Sequence, residues 1–116
     1  MEKACIEAFK PGVTYKDVGD YVARRLKEKG IDPMGLRGSL GHLVGMCVHD
    51  VQTGPGPLVL KEGMVMAIEP ALYFPEKNLG IRIEDTVLIT KDGCEVLTAG
   101  VPKEIEEIEA LLKKGT

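Results

Sequence analysis

Apolar positions recur along the chain in two rhythms, helical at the ends and extended through the middle. Met1 to Phe9 reads as the end of a helix stopped by Lys10-Pro11-Gly12, because proline lacks an amide donor and glycine accepts the chain reversal. Thr14 then offers an N-cap hydroxyl with Asp17 three residues on, and Tyr15, Val18, Val22 and Leu26 recur at helical spacing as far as Gly30. From Ile31 to Gly38 the pattern is Pro- and Gly-punctuated loop, and His42 to His49 predicts a short extended piece. Residues 50–63 read as a surface loop through Thr53-Gly54-Pro55-Gly56-Pro57. Met64 to Glu69 is apolar up to its carboxylate, the signature of a strand covered on both faces. Ile81 to Thr90 predicts a second strand, which Lys91-Asp92-Gly93 turns into a short third, Cys94 to Leu97. A last helix opens at Pro102, with Glu104, Glu106 and Glu107 early, Lys113 and Lys114 late, and Ile105, Ile108, Leu111 and Leu112 on one face. The order helix, helix, strands, helix defines an α+β domain with a mainly antiparallel sheet.

Composition narrows the functional classes. The 116 residues are enough for one domain, 1–116, with a real core. Fifteen basic against 18 acidic residues leave a net charge of −3, which argues against a nucleic-acid binder or a basic membrane-surface module. No apolar run approaches a membrane span, and the first residues lack the basic start and apolar stretch of a secretory signal, so the expected location is cytoplasmic. Cys5, Cys47 and Cys94 are odd in number and scattered, which suits buried thiols rather than a disulfide framework or a metal knuckle.

Chemistry concentrates in a few positions. Glu69 and Glu84 each sit in otherwise apolar strand sequence, where a carboxylate needs a cation, a hydrogen-bond set or a metal. Arg82 and Glu84 are two apart and share a strand face, the spacing of a simple ion pair. Pro70 ends the preceding strand or marks a bulge that aims Glu69 into a cleft. His42 and His49, the only histidines, are seven apart and would point to opposite faces of a straight strand. Either Gly45 bends the chain, or one histidine lies on a loop. One His and two Glu in convergence suit a divalent ion such as Mn²⁺, Co²⁺ or Zn²⁺.

Three motifs, in order, carry a resemblance. Gly41-His42-Leu43-Val44-Gly45-Met46-Cys47-Val48-His49-Asp50, Glu62-Gly63-Met64-Val65-Met66-Ala67-Ile68-Glu69-Pro70 and Gly80-Ile81-Arg82-Ile83-Glu84-Asp85 resemble the Xaa-Pro aminopeptidase and prolidase branch of the pita-bread metallopeptidases. The likeness reaches back to Ile6 and forward to Thr98, and implies half of a pita-bread, creatinase/aminopeptidase-like fold: two N-terminal helices, a curved antiparallel sheet and a C-terminal helix. It implies that His42, Glu69 and Glu84 are ligands of a dinuclear site holding Mn or Co, with Zn compatible. It further implies that Glu69 doubles as proton relay, that His49 stabilises the tetrahedral intermediate near the substrate, and that Arg82 holds the Glu84 carboxylate or supports the site.

The same resemblance defines departures. The family's two ligand aspartates belong to an N-terminal half with no counterpart here, and Asp17 and Asp20 on the capped helix do not replace them. The branch's histidine four residues before the ligand histidine is Gly38 here. Met1 is expected within a longer helix and Thr116 at the domain's end, with truncation at one end. The expectation is therefore a half-domain with weak or partial metal occupancy, inactive on Xaa-Pro peptides without the aspartate-bearing half. The alternative is a non-catalytic oligomeric or binding scaffold. A homodimer, or pairing with a separate N-terminal-half chain, is expected to cover an apolar sheet face at Met64, Met66, Ile68 and Val87.

Overall fold

Thr14 starts the longest helix as its spacing to Asp17 requires. Its hydroxyl accepts from the Asp17 amide, and the Asp17 carboxylate accepts from the Thr14 amide at 2.7 Å, a reciprocal capping box. The computed structural model describes residues 1–33, 40–50 and 57–114. Within these, α1 spans Glu2–Ala8 and α2 Tyr15–Glu28. The strands are β1 (Gly41–Leu43), β2 (Val65–Ile68), β3 (Ala71–Phe74), β4 (Leu79–Arg82), β5 (Asp85–Ile89) and β6 (Cys94–Val96), followed by α3 (Ile105–Lys114).

Four strands form an antiparallel sheet in the order β1-β2-β5-β6, and β3 and β4 form a separate hairpin. Strand alternation sends Met66 and Ile68 from β2 and Val87 and Ile89 from β5 into one core with Cys5 and Phe9 and with Val18, Val22 and Leu26 of α2. Those α2 positions are its i, i+4, i+8 stripe, which is why the helix lies on the sheet by that face. The opposite sheet face carries Ala67 and, directly across from it, His42.

Several elements differ from the sequence pattern. The expected strand Ile81 to Thr90 is divided into β4 and β5. The register does not change across the division: Ile68 pairs with Asp85 and Ala71 with Arg82, so Glu69 and Pro70 stand opposite Glu84 and Ile83. Pro70 has no amide to donate, so the ladder breaks there and the ribbon leaves the main sheet as the hairpin. β3 was not expected, and its turn is a 3₁₀ turn, Pro75–Lys77, ended by Asn78 in the left-handed region. The extended piece His42 to His49 is strand only as far as Leu43. Within the expected loop 50–63, residues 51–56 lie outside the described residues, and Leu60 is core: it exchanges hydrogen bonds with Gly12 and Val13 and is 1% exposed. The last helix begins at Ile105 rather than Pro102. Met66, Ile68 and Val87 are fully buried under α1 and α2, and Met64 packs against the same core, so this is not an open face for a partner.

Candidate functional site

Gly41 allows β1 to lie flush against β2. Any Cβ at this position would fall 1.8 Å from the Ala67 carbonyl oxygen, so only glycine fits. The close approach continues at Leu40, whose carbonyl accepts from the Glu69 amide at 2.8 Å. His42 therefore stands across from Ala67 and diagonal to Glu69 on one sheet face.

His42 Nε2 lies 3.6 Å from Glu69 Oε1, with both side chains about four-fifths buried. The other ring nitrogen, Nδ1, is 3.0 Å from the Leu43 carbonyl. A carbonyl only accepts, so this bond places a proton on Nδ1 and leaves Nε2 as the ring nitrogen facing the carboxylate. The second Glu69 oxygen is held by Arg82 Nη1 at 3.0 Å. Arg82 Nη2 donates to the Tyr73 hydroxyl at 2.9 Å. Tyr73 lies across the hairpin from Gly80, and a Cβ on Gly80 would meet the Tyr73 ring at 2.8 Å, so the glycine makes room for the phenol that steadies the arginine.

His49 reaches the same place by a fold in the chain. After Leu43 the backbone loops and returns, and the Asp50 amide donates to the Leu43 carbonyl at 3.0 Å. The His49 ring centre is then 4.2 Å from that of His42. Both readings of the seven-residue spacing apply together: the chain bends, and only His42 is on the strand.

The structure thus gathers His42, His49, Glu69 and Arg82, and adds Tyr73, which sequence reasoning missed; the signal was an aromatic paired with a glycine across a hairpin. Arg82 holds Glu69 instead of Glu84. Glu84 is exposed, and among the described residues no three His, Cys, Asp or Glu side chains come together to hold a metal ion. Gly38 lies outside the described residues. The donor chemistry of His42 and Glu69 fits a divalent ion: an imidazole nitrogen and a carboxylate oxygen face each other at 3.6 Å, near the ~3.4 Å edge of a tetrahedral site with bonds of about 2.1 Å.

A helix-backed antiparallel sheet with such a face defines a class, and comparison with known proteins agrees. The profile of metallopeptidase family M24 matches residues 1–91, and the chain belongs to that family. It is 40% identical to the mitochondrial intermediate cleaving peptidase 55 of Arabidopsis thaliana, over 95% of this chain and 26% of that protein. It is 43% identical to the Xaa-Pro dipeptidase of Pyrococcus furiosus, over 84% of this chain and 28% of that protein. Among solved structures, the prolidase of Pyrococcus horikoshii superposes with a TM-score of 0.72 at 41% identity, covering 91% of this chain and 30% of that one. Zinc-substituted Escherichia coli aminopeptidase P in complex with product gives 0.79 at 31% identity, covering 98% and 32%. The fold is the α+β, pita-bread type of these neighbours, and the chain spans about a quarter to a third of their length.

Proposed function

We propose that this chain is the His/Glu-bearing half of a metal-dependent hydrolase acting on Xaa-Pro peptides. The observation that carries the reading is the His42–Glu69 pair, with Nε2 and Oε1 3.6 Å apart and the far carboxylate oxygen fixed by Arg82. Relatives named Xaa-Pro dipeptidase and Xaa-Pro aminopeptidase support the substrate class.

In this reading His42, Glu69 and Glu84 are the ligands, Glu84 joining as the ribbon closes at Pro70. Mn²⁺ or Co²⁺ suits the set, and Zn²⁺ is compatible. A divalent ion bound there supplies Lewis-acid polarisation of the scissile carbonyl. The chain's own groups do the rest: Arg82 orients Glu69, Glu69 relays a proton, and His49 donates to the oxygen that gains negative charge. These 116 residues by themselves hold metal weakly and have negligible activity; they work as a homodimer or together with an aspartate-bearing half. Three free thiols support a reducing location such as the cytoplasm.

The test is hydrolysis of Xaa-Pro dipeptides and Xaa-Pro-Yaa peptides with added Mn²⁺. The chain alone should be inactive, and mixing with the aspartate-bearing half of a relative should give activity that His42→Ala abolishes. Robust turnover by the monomer would overturn the half-site reading. One observation, the separation of Glu84 from His42 and Glu69, favours the alternative of a non-catalytic scaffold; a metal-loaded mixture that stays inactive would select it.

A further inference from the structure

Glu84 is exposed, yet the polar residues that flank it, Arg82 and Asp85, are both tied down. Arg82 is held by Glu69 and Tyr73. Asp85 is fully buried and sits at the centre of a cluster built by the C-terminal segment. Lys103 Nζ donates to its two carboxylate oxygens at 2.5 and 2.7 Å, and the Thr98 hydroxyl donates to Oδ1 at 2.5 Å. The same hydroxyl accepts from the Thr86 amide at 3.1 Å, and the Leu97 amide donates to the Thr86 carbonyl at 2.8 Å. Residues Leu97 to Lys103 therefore grip the side chain of Asp85 and the backbone of the residue after it.

A buried ion pair adds little stability over apolar residues of the same volume, so the core alone gives no reason for this one. What the cluster adds is direction. Asp85 pairs with Ile68 and points to the helix side of the sheet, with Met66 and Val87. Alternation turns Glu84 to the opposite side, the one that carries Ala67 and His42. The ladder of β2 and β5 ends at the Ile68–Asp85 pair, close to Pro70 with no amide to donate, so the grip on Asp85 holds the strand where the ladder stops. We propose that Thr98 and Lys103 are positioning residues for Glu84: by holding Asp85 they fix the start of β5 beside the end of β2, with the Glu84 carboxylate on the face of His42 and Glu69. They act from the other side of the sheet, through Asp85. The inference rests on the reading of Glu84 as a metal ligand and adds the C-terminal segment as the support of that ligand.

The test is calorimetric titration of the chain and its variants with Co²⁺ alone. Lys103→Met and Thr98→Val should each weaken binding about three- to tenfold, the low end of what residues supporting a metal ligand contribute, and no more than Glu84→Ala does. Combined with Glu84→Ala, neither should weaken it further, because the contact they support is already gone. Thr98→Ser keeps the hydroxyl and should bind as wild type does. Far-UV circular dichroism checks the fold, and Thr98→Val, which keeps the side chain's shape, carries the test by itself if Lys103→Met does not fold. A weakening that persists undiminished in the Glu84→Ala background is a general structural effect and overturns the positioning role, as does tighter binding by either single variant. Unchanged binding in the Thr98→Val and Lys103→Met chains, with Glu84→Ala weakened, overturns the positioning role and leaves Glu84 a ligand. Unchanged binding in Glu84→Ala itself overturns the ligand reading, and the positioning role with it.

Discussion

Arg82 reaches across the bend between β4 and the end of β2 to hold Glu69 at 3.0 Å. The contact follows from register, since Arg82 pairs with Ala71, two residues beyond Glu69. It has a chemical consequence: one carboxylate oxygen is neutralised by the guanidinium while the other is left to His42.

Removing that cation should cost stability. Arg82→Ala leaves a mostly buried carboxylate without its strongest partner, and because the guanidinium is half exposed the loss should be about 1–2 kcal/mol rather than the 3–5 of a fully buried pair. Tyr73→Phe, which removes one hydrogen bond to Arg82, should cost about 0.5–1 kcal/mol. Urea unfolding of the two variants would give this order; an Arg82→Ala midpoint equal to wild type would show that Glu69 is held by something else.

Gly41→Ala should be far more damaging than its size suggests. The added methyl meets the Ala67 carbonyl, so β1 must separate from β2, losing the Glu69 amide bond to Leu40 and displacing His42. A loss above about 3 kcal/mol is expected, beyond the ordinary range for a single substitution. Thermal unfolding checks it, and a change in Tm of a degree or two would mean the strands are not in close contact at this point.

A second carboxylate cluster governs the dependence on pH. Asp85, fully buried at the start of β5, accepts from Lys103 at 2.5 and 2.7 Å and from Thr98 at 2.5 Å, with Glu2 of α1 beside it. Burial, then the hydrogen bond and negative charge of Asp85, push Glu2 up to about 7. Burial alone would raise Asp85 too, but hydrogen bonds from Glu2, Lys103 and Thr98 hold it below its usual value. Glu2 is thus the member that carries the proton. Its folded pKa exceeds the unfolded one, so its contribution is complete below about 4.5 and is lost as pH rises through about 7. Asp85 acts in the opposite sense, contributing above its unfolded pKa and losing that contribution as pH falls through its lower folded one. Glu2→Gln should therefore match wild type near pH 4.5 and exceed it above pH 7 by on the order of 1–2 kcal/mol. Urea midpoints for both proteins across this range test the sign, and a difference independent of pH would contradict it. Asp85→Asn should cost about 1–3 kcal/mol at neutral pH, because Lys103 loses its hydrogen-bonded anion and keeps only the neighbouring Glu2.

What could be read in the sequence was mostly local. The capping box of α2 involves residues three apart, and the Lys91-Asp92-Gly93 turn into β6 is likewise short-range, so both could be placed without tertiary information. The β3–β4 hairpin could not, because its boundary is set by the missing amide of Pro70 acting on a strand more than ten residues away. Alternation in β2 separates Met66 and Ile68 from Ala67 and Glu69, but which side the helices cover depends on packing; here they cover the methionine side. The meeting of His42 with Glu69 depends on the β1–β2 register, and that of His42 with His49 on a loop that folds back. Spacing gave no means of choosing between the histidines, and only the family resemblance brought them together with the glutamate.

Metal binding by the isolated chain should reflect this partial assembly. Two donors face each other, and the third, Glu84, can join only if the interrupted rung between β2 and β5 closes toward His42. Titration with Mn²⁺ or Co²⁺ by calorimetry should give at most one ion per chain, with a Kd in the range of roughly 10–1,000 µM, equivalent to about 4–7 kcal/mol. His42→Ala and Glu69→Ala each remove one of the two facing donors and should abolish the signal. Glu84→Ala should reduce affinity by less, because in the free chain that carboxylate must be brought in at the cost of bending the ribbon further. Binding of two ions per chain at nanomolar Kd would mean that other side chains complete the site. An equal loss from Glu84→Ala and Glu69→Ala would mean that the rung is already closed in solution.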